Sequence, residues 1–343
     1  MVKVGVGVVG CGGNGTRHAE VHASMDESNL IAVCDVDPAA AERVAKKHGV
    51  KAFTSLEEML KEPGIEAVDV VTSGSHRDPV VMAAEAGRHV MVEVPFAVSL
   101  PECDDMIEAA EKAGVNLMYA QTHRFTPFNL KTKELIDSGE IGDLIWVSHT
   151  RTGAGTPDAS RWHRWKEQGG GVLTYEGPHY LDQFRWLASS DYETANSISM
   201  GRYASGGDGE DNCIVGLTFK NGASAMLMEG KSEKGGRYEE WRMIGTIGSI
   251  EYINGELRLG KGDWESVDYE YKNDEPIEGF ERIATAGTYL TWTTEFSEFL
   301  DSITEKRQPS CTGDDGRAAL EAALALRESD ETGQPVRIRS SMA

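Results

Sequence analysis

The most constraining feature of the chain is the regular alternation, through its first third, of short apolar runs with helix-compatible segments. Residues 3–9 are Val/Gly-rich and continuously apolar, as befits a parallel strand buried on both faces. A helical segment follows at 14–24, then a second apolar run at 30–34 that ends on Asp35, Asp37 and Pro38. The alternation continues through 39–48, 52–53, 56–60, 67–72, 79–87, 90–92, 101–114 and 116–119. Steps this short and regular specify a doubly wound parallel α/β sheet with right-handed crossovers.

Beyond about Gln121 the texture changes. Longer strand-like runs at 144–151, 194–200, 213–220, 223–229, 239–245 and 249–253 are separated by turns such as Asn221-Gly222. Helices are expected at 175–187 and 314–328. A chain of 343 residues exceeds one ordinary core. The expected organisation is a dinucleotide-binding domain over 1–122 and a substrate-binding, oligomerising α+β domain over 123–343, with a large, mostly antiparallel open sheet. A broad sheet face invites burial against a second copy, so a homo-oligomer is expected.

Gly10-Cys11-Gly12-Gly13-Asn14-Gly15 lies between the first strand and the first helix. In that context Gly10 permits the turn, Gly12 and Gly13 let backbone approach a pyrophosphate, and Gly15 permits close helix packing. The phosphates would face the N–H groups opening the helix, beside Asn14. Asp35, about 20 residues past the last glycine, is placed to accept from the adenosine ribose hydroxyls and to repel a 2′-phosphate. The expected cofactor is therefore NAD and not NADP.

A formal charge of -22 argues against nucleic acid or an anionic membrane as partner. The five cysteines are scattered without a Cys-x-x-Cys pair, which fits a reducing, cytoplasmic setting and no disulfide framework. No basic leader or long apolar span is evident. His163, His179 and the carboxylates lack metal-ligand spacing, so no metal is expected.

The chain resembles the Gfo/Idh/MocA oxidoreductase family, which pairs a Rossmann domain with a C-terminal α/β domain and acts mostly on sugar and cyclitol carbinols. The resemblance rests on the glycine loop followed by Arg17-His18-Ala19, on residues 72–76, on Ala86-Gly87-Arg88-His89-Val90 leading to Glu93-Val94-Pro95, and on His123-Arg124-Phe125. It continues through residues 169–173, His179, Asp182 and residues 313–317. It implies that Thr72, His76, Glu93, Val94 and Pro95 line the cofactor, and that His123 and Arg124 lie toward the substrate.

Two positions depart from the family pattern. Val94 stands where the family usually has lysine, and Tyr175 where it usually has an aspartate four residues before His179. Val94 removes a cation, while Tyr175 supplies a phenol one helical turn from His179, making an acid/base pair. That combination is similar to the NAD-dependent glycosidases of the family, whose scheme is oxidation of a ring hydroxyl, elimination of the aglycone, hydration and re-reduction with NAD recycled. A plain NAD-dependent sugar or cyclitol dehydrogenase and a non-catalytic sugar or NAD sensor are the alternatives. His179 and Tyr175 are the expected catalytic residues, and Asp182 an orienting one.

Arg161-Trp162-His163-Arg164-Trp165-Lys166 concentrates cations and indoles in an otherwise acidic chain. Indole faces stack on sugars and guanidinium forks hold carboxylates or sulfonates. Arg161, Trp162, His163 and Trp165 are therefore candidate contacts for an anionic glycoside such as a uronide or sulfoquinovoside, though such a cluster also suits a solvated loop.

Overall fold

The computed structural model describes residues 3–154, 162–166, 170–203, 207–233, 236–253, 256–261, 263–266 and 286–339. Chain contacts divide it into two compact units, residues 1–125 with 272–317, and 126–271 with 318–343.

The first unit contains β1 (Val4–Val9), α1 (Gly13–Ser24), β2 (Ser28–Cys34), α2 (Pro38–His48), β3 (Lys51–Phe53), α3 (Leu56–Met59), β4 (Ala67–Val70), α4 (Arg77–Glu85), β5 (His89–Val92), α5 (Leu100–Ala113) and β6 (Leu117–Tyr119). The strands form one sheet in the order β3-β2-β1-β4-β5-β6. Every pairing in it is parallel. All six residues of β1 are buried, which is why its apolar pattern is continuous instead of alternating. Local chemistry starts and stops the helices: Asp37 and Ser99 cap α2 and α5, and Gly49 and Gly114 end them in the left-handed conformation. The strand order reverses between β1 and β4, and ligands of open α/β sheets bind outside the carboxyl ends of the strands at such a point.

The second unit contains α6 (Pro127–Asp137), β7 (Leu144–Thr152), α7 (Val172–Tyr175), α8 (Gly177–Ala188), β8 (Tyr192–Gly201), β9 (Asn212–Phe219), β10 (Ser224–Gly230), β11 (Tyr238–Gly245), β12 (Ser249–Ile253), β13 (Glu256–Lys261) and β14 (Asp263–Ser266). Together with a C-terminal strand they form, among the described residues, a nine-stranded sheet. Its pairings are antiparallel apart from the parallel pair β7 and β10. One face is the core: Val147, Val215, Leu217, Leu227, Trp241 and Met243 cluster with Tyr180, Leu181, Phe184 and Leu187 of α8. Out of step with those residues, Trp146 and Met226 remain 36% and 40% exposed.

After β14 the chain returns. In α9 (Ala286–Thr304), Trp292, Phe296, Phe299 and Leu300 pack with Val4, Val6, Val21, Met25, Met91 and Met118 of the first unit. A single division after residue 122 therefore does not describe the chain: the apolar flank of the parallel sheet needs a cover, and α9 supplies it. α10 (Gly313–Thr332) then passes from the first unit into the second at residue 317, and β15 (Val336–Arg337) joins the second sheet beside β8.

Candidate active site

In the first unit the glycine loop separates two kinds of glycine. Gly10 has φ +100°, and a Cβ there would lie 2.5 Å from the Val71 carbonyl oxygen. A Cβ on Gly15 would collide with the Gly10 carbonyl oxygen. Those two are dictated by the fold itself. At Gly12 and Gly13 a Cβ would meet nothing within 4 Å, so their bare backbone leaves room for something the chain does not supply. Gly12 caps α1 without a side-chain hydrogen bond, and Asn14 is exposed in the first turn. Open glycines at a helix N-terminus are the arrangement a pyrophosphate fits.

Asp35 fixes that loop. Its Oδ2 accepts from the Cys11 amide at 2.6 Å and its Oδ1 from the Asp37 amide at 2.9 Å. Arg43, which sequence reasoning did not single out, donates to the Cys11 carbonyl at 2.8 Å. The acid that would select NAD thus also holds the phosphate loop in shape.

Thr72 follows β4, and its Oγ1 is buried with no hydrogen-bond partner among the described residues, as a ligand contact would leave it. His76 is different. It is 1% exposed, with Nε2 2.7 Å from the Thr72 carbonyl and Nδ1 3.3 Å from the Phe96 carbonyl. It fastens the loop after β4 to the segment after β5. Glu93 accepts from the Val94 amide at 2.7 Å, and its Oε1 lies 3.0 Å from Nε2 of His18. Val94 and Pro95 are joined by a cis peptide bond.

His123 and Arg124 occupy a 3-10 turn, Thr122–Phe125. Arg124, expected toward the substrate, is 4% exposed, donates to the Ser310 carbonyl at 2.9 Å and lies 3.1 Å from Asp315. Its guanidinium ties α10 to the turn after β6. His123 is half-buried beside it.

In the second unit, the backbone of Trp162–Arg164 makes a 3-10 turn. Arg161 and the side chain of Trp162 lie outside the described residues. The turn is clamped: the Gly171 amide donates to the His163 carbonyl at 2.9 Å, and Gly170 to Trp165 at 2.9 Å. Gly171, at φ +112°, leaves space for Glu210 and Arg327. Arg327 in turn donates to the Gly170 carbonyl at 2.5 Å, Thr174 Oγ1 at 3.0 Å and Glu210 at 2.7 Å. The result is a braced lead-in to Tyr175, whose ring stacks on His163 with centroids 4.5 Å and planes 11° apart.

Tyr175 and His179 do not share one helix, as the spacing suggested. Tyr175 ends α7, and His179 belongs to α8. Pro178 explains the break: it has no N–H for the Thr174 carbonyl, and its ring crowds that turn. The His179 amide bonds to the Glu176 carbonyl three residues back, at 3.0 Å. Both side chains are half-buried, while Asp182 is 1% exposed in α8.

Glu176, at the break, belongs to a charge cluster that sequence reasoning missed. It pairs with Arg151 of β7 and with Lys231, just beyond β10. Arg151 also donates to the Tyr180 hydroxyl at 2.6 Å. Buried Glu229 of β10 lies 3.5 Å from Arg151 and 3.3 Å from Lys231. Burial would raise the Glu176 carboxyl, but Arg151 and Lys231 hold it below the usual carboxylate range. For Glu229, burial and then the charge of Glu176 push the carboxyl up, against the pull of Lys231 and Arg151. The break that carries Tyr175 and His179 is thereby anchored to the sheet through ions.

Among the described residues no group of His, Cys, Asp or Glu is arranged to hold a metal, and no helix is long and apolar enough to cross a membrane.

Known proteins share this organisation. The myo-inositol 2-dehydrogenase of Thermotoga maritima is 27% identical over 343 residues, 97% of this chain and 98% of that protein. The 2,7-anhydro-N-acetylneuraminate hydratase of Escherichia coli is 31% identical over 269 residues, 75% of this chain and 70% of that protein. GenD2 of gentamicin A biosynthesis, solved in complex with NAD, is 26% identical with a TM-score of 0.83, covering 99% of this chain and 97% of that one. Residues 4–121 match the NAD-binding Rossmann domain and residues 133–338 the C-terminal α/β domain of one family, and the chain belongs to it: the NAD-dependent Gfo/Idh/MocA oxidoreductases.

Proposed function

We propose that this enzyme cleaves a glycoside by a redox cycle that ends with NAD regenerated. The observation that carries the reading is Tyr175, a phenol stacked on His163 and one helix break from His179, in a chain where Val94 replaces the family's lysine. NAD, held by residues 10–15, Asp35 and Thr72, supplies a hydride acceptor that later serves as donor. Tyr175 and His179 take and return the protons: one from the sugar hydroxyl, one from the carbon next to the new ketone, whose acidity permits loss of the aglycone. Water replaces the aglycone before the ketone is reduced, so the net reaction is hydrolysis. That a relative is named a hydratase supports such chemistry within the family. His123, His163 and Trp165, with Arg161 and Trp162, are the proposed sugar contacts, and the cations of that segment suit an anionic glycoside, a uronide or sulfoquinovoside.

The test is incubation with chromogenic glycosides, acidic and neutral, with and without NAD, while NADH absorbance is followed. NAD-dependent aglycone release without accumulating NADH supports the reading. Stoichiometric NADH without aglycone supports the plain sugar dehydrogenase, the reading that the inositol dehydrogenase relative favours.

We also propose that the sheet face bearing Trp146 and Met226 is covered by a second copy of the chain in the cytoplasm. Met226→Glu should then lower the mass measured by light scattering; a native monomer would contradict this.

A further inference from the structure

We propose that Glu93 sets the redox balance of the bound cofactor, its fixed carboxylate favouring the oxidised nicotinamide over the reduced one. The proposal rests on NAD binding to the first unit and not on the identity of the sugar. Asp35 marks the adenosine side at β2 and the glycine loop marks the pyrophosphate at β1. Strands lie about 4.8 Å apart, so the other half of an extended dinucleotide runs the opposite way, past β4 toward the carboxyl end of β5. Glu93 is the first residue after β5.

When the nicotinamide ring gains a hydride, it takes up two electrons and one proton and its positive charge disappears. A carboxylate beside it therefore stabilises the oxidised form selectively. Three features hold the Glu93 side chain in place. Its Oε2 accepts the Val94 amide at 2.7 Å. Its Oε1 lies 3.0 Å from Nε2 of His18, whose Nδ1 is bound to Asp69 Oδ2 at 2.8 Å. His22 lies 3.2 Å from the same Asp69 oxygen and 3.0 Å from Ser28 Oγ.

Phe296 packs on both imidazoles, with centroids 4.9 Å from His18 and 4.6 Å from His22, and excludes water from the network. Burial alone would lower the His18 pKa, but Asp69 and Glu93 carry it up to about 10. Burial would raise Asp69, yet His18 and His22 hold it down to about 2. Glu295, facing the cluster from α9, is pushed well above the carboxylate range by burial and then by Glu93, which favours its neutral form. Two carboxylates thus share the imidazolium of His18, and the neighbouring position 94 is an uncharged valine.

The experiment is calorimetric titration of the full chain with NAD and, separately, with NADH. The native chain is expected to bind NAD more tightly than NADH. Glu93→Gln should lower the ratio of the NADH to the NAD dissociation constant by about tenfold. Glu93→Asp, which keeps the charge, should largely restore the ratio, and Glu295→Gln, neutral for neutral, should leave it unchanged. An equal loss of both affinities in Glu93→Gln, or an unchanged ratio, would overturn the proposal in favour of a purely structural role. Should Glu93→Gln not fold, the native chain decides alone: tighter NAD supports the proposal and tighter NADH overturns it. Binding of neither nucleotide would overturn the cofactor assignment as well, an outcome distinct from an unchanged ratio.

Discussion

The ring of Tyr175 lies flat against that of His163, centroids 4.5 Å and planes 11° apart. Such a stack is worth about 0.5–1.5 kcal/mol and holds the phenol in one orientation. Tyr175→Phe keeps the ring and removes only the hydroxyl that is proposed to transfer the proton. The expected outcome is a fall in kcat of about a hundredfold or more with little change in KM or melting temperature. Unchanged kcat would remove Tyr175 from the chemistry.

The glycine loop makes a paired prediction. Gly15→Ala pushes a Cβ into the Gly10 carbonyl and should destabilise the fold by about 1–3 kcal/mol. Gly12→Ala enters open space, so stability should change by less than about 1 kcal/mol while NAD affinity falls tenfold or more, about 1.4 kcal/mol. Urea unfolding and calorimetry on the two variants check this, and a Gly12→Ala chain with native NAD affinity would move the pyrophosphate elsewhere.

The first unit carries a pH signature. His18 is raised to about 10, so its contribution to stability is complete below its unfolded value of about 6.5 and is lost as pH rises through 10. Asp69, lowered to about 2, contributes above about 3.9 and loses that contribution as pH falls through 2. The urea midpoint should therefore decline between about pH 6.5 and 10, and this decline should flatten in Asp69→Asn, which removes His18's main partner. An equally steep decline in the variant would assign the effect to other groups.

What was legible in the sequence is what is local. The glycine loop, Asp35 and the strand–helix alternation lie within a few dozen residues of one another, and strand, turn and helix there follow from the residues themselves. The break between Tyr175 and His179 was also written locally, in Pro178, but helical spacing across it was the more prominent pattern. The Arg151, Glu229 and Glu176 cluster was not legible: Arg151 faces Glu229 only through the parallel register of β7 and β10, set by strands far apart in sequence. His18 of α1 and Asp69 of β4, 51 positions apart, meet only when helix and strand come together in the fold. The helix α9 was not expected, and its packing through Trp292, Phe296, Phe299 and Leu300 on Val4 and Met91 joins residues far apart in the chain.

The central claim is that the enzyme removes a hydride and puts it back, with a carbon acid formed in between. The most direct measurement is to run the reaction on a glycoside in deuterated water with NAD present and to analyse the released sugar by mass spectrometry and NMR. The account predicts one deuterium on the carbon adjacent to the oxidised position, with no accumulation of NADH. A sugar released without deuterium at that carbon, or NADH formed in step with a ketone product and no aglycone, would contradict it.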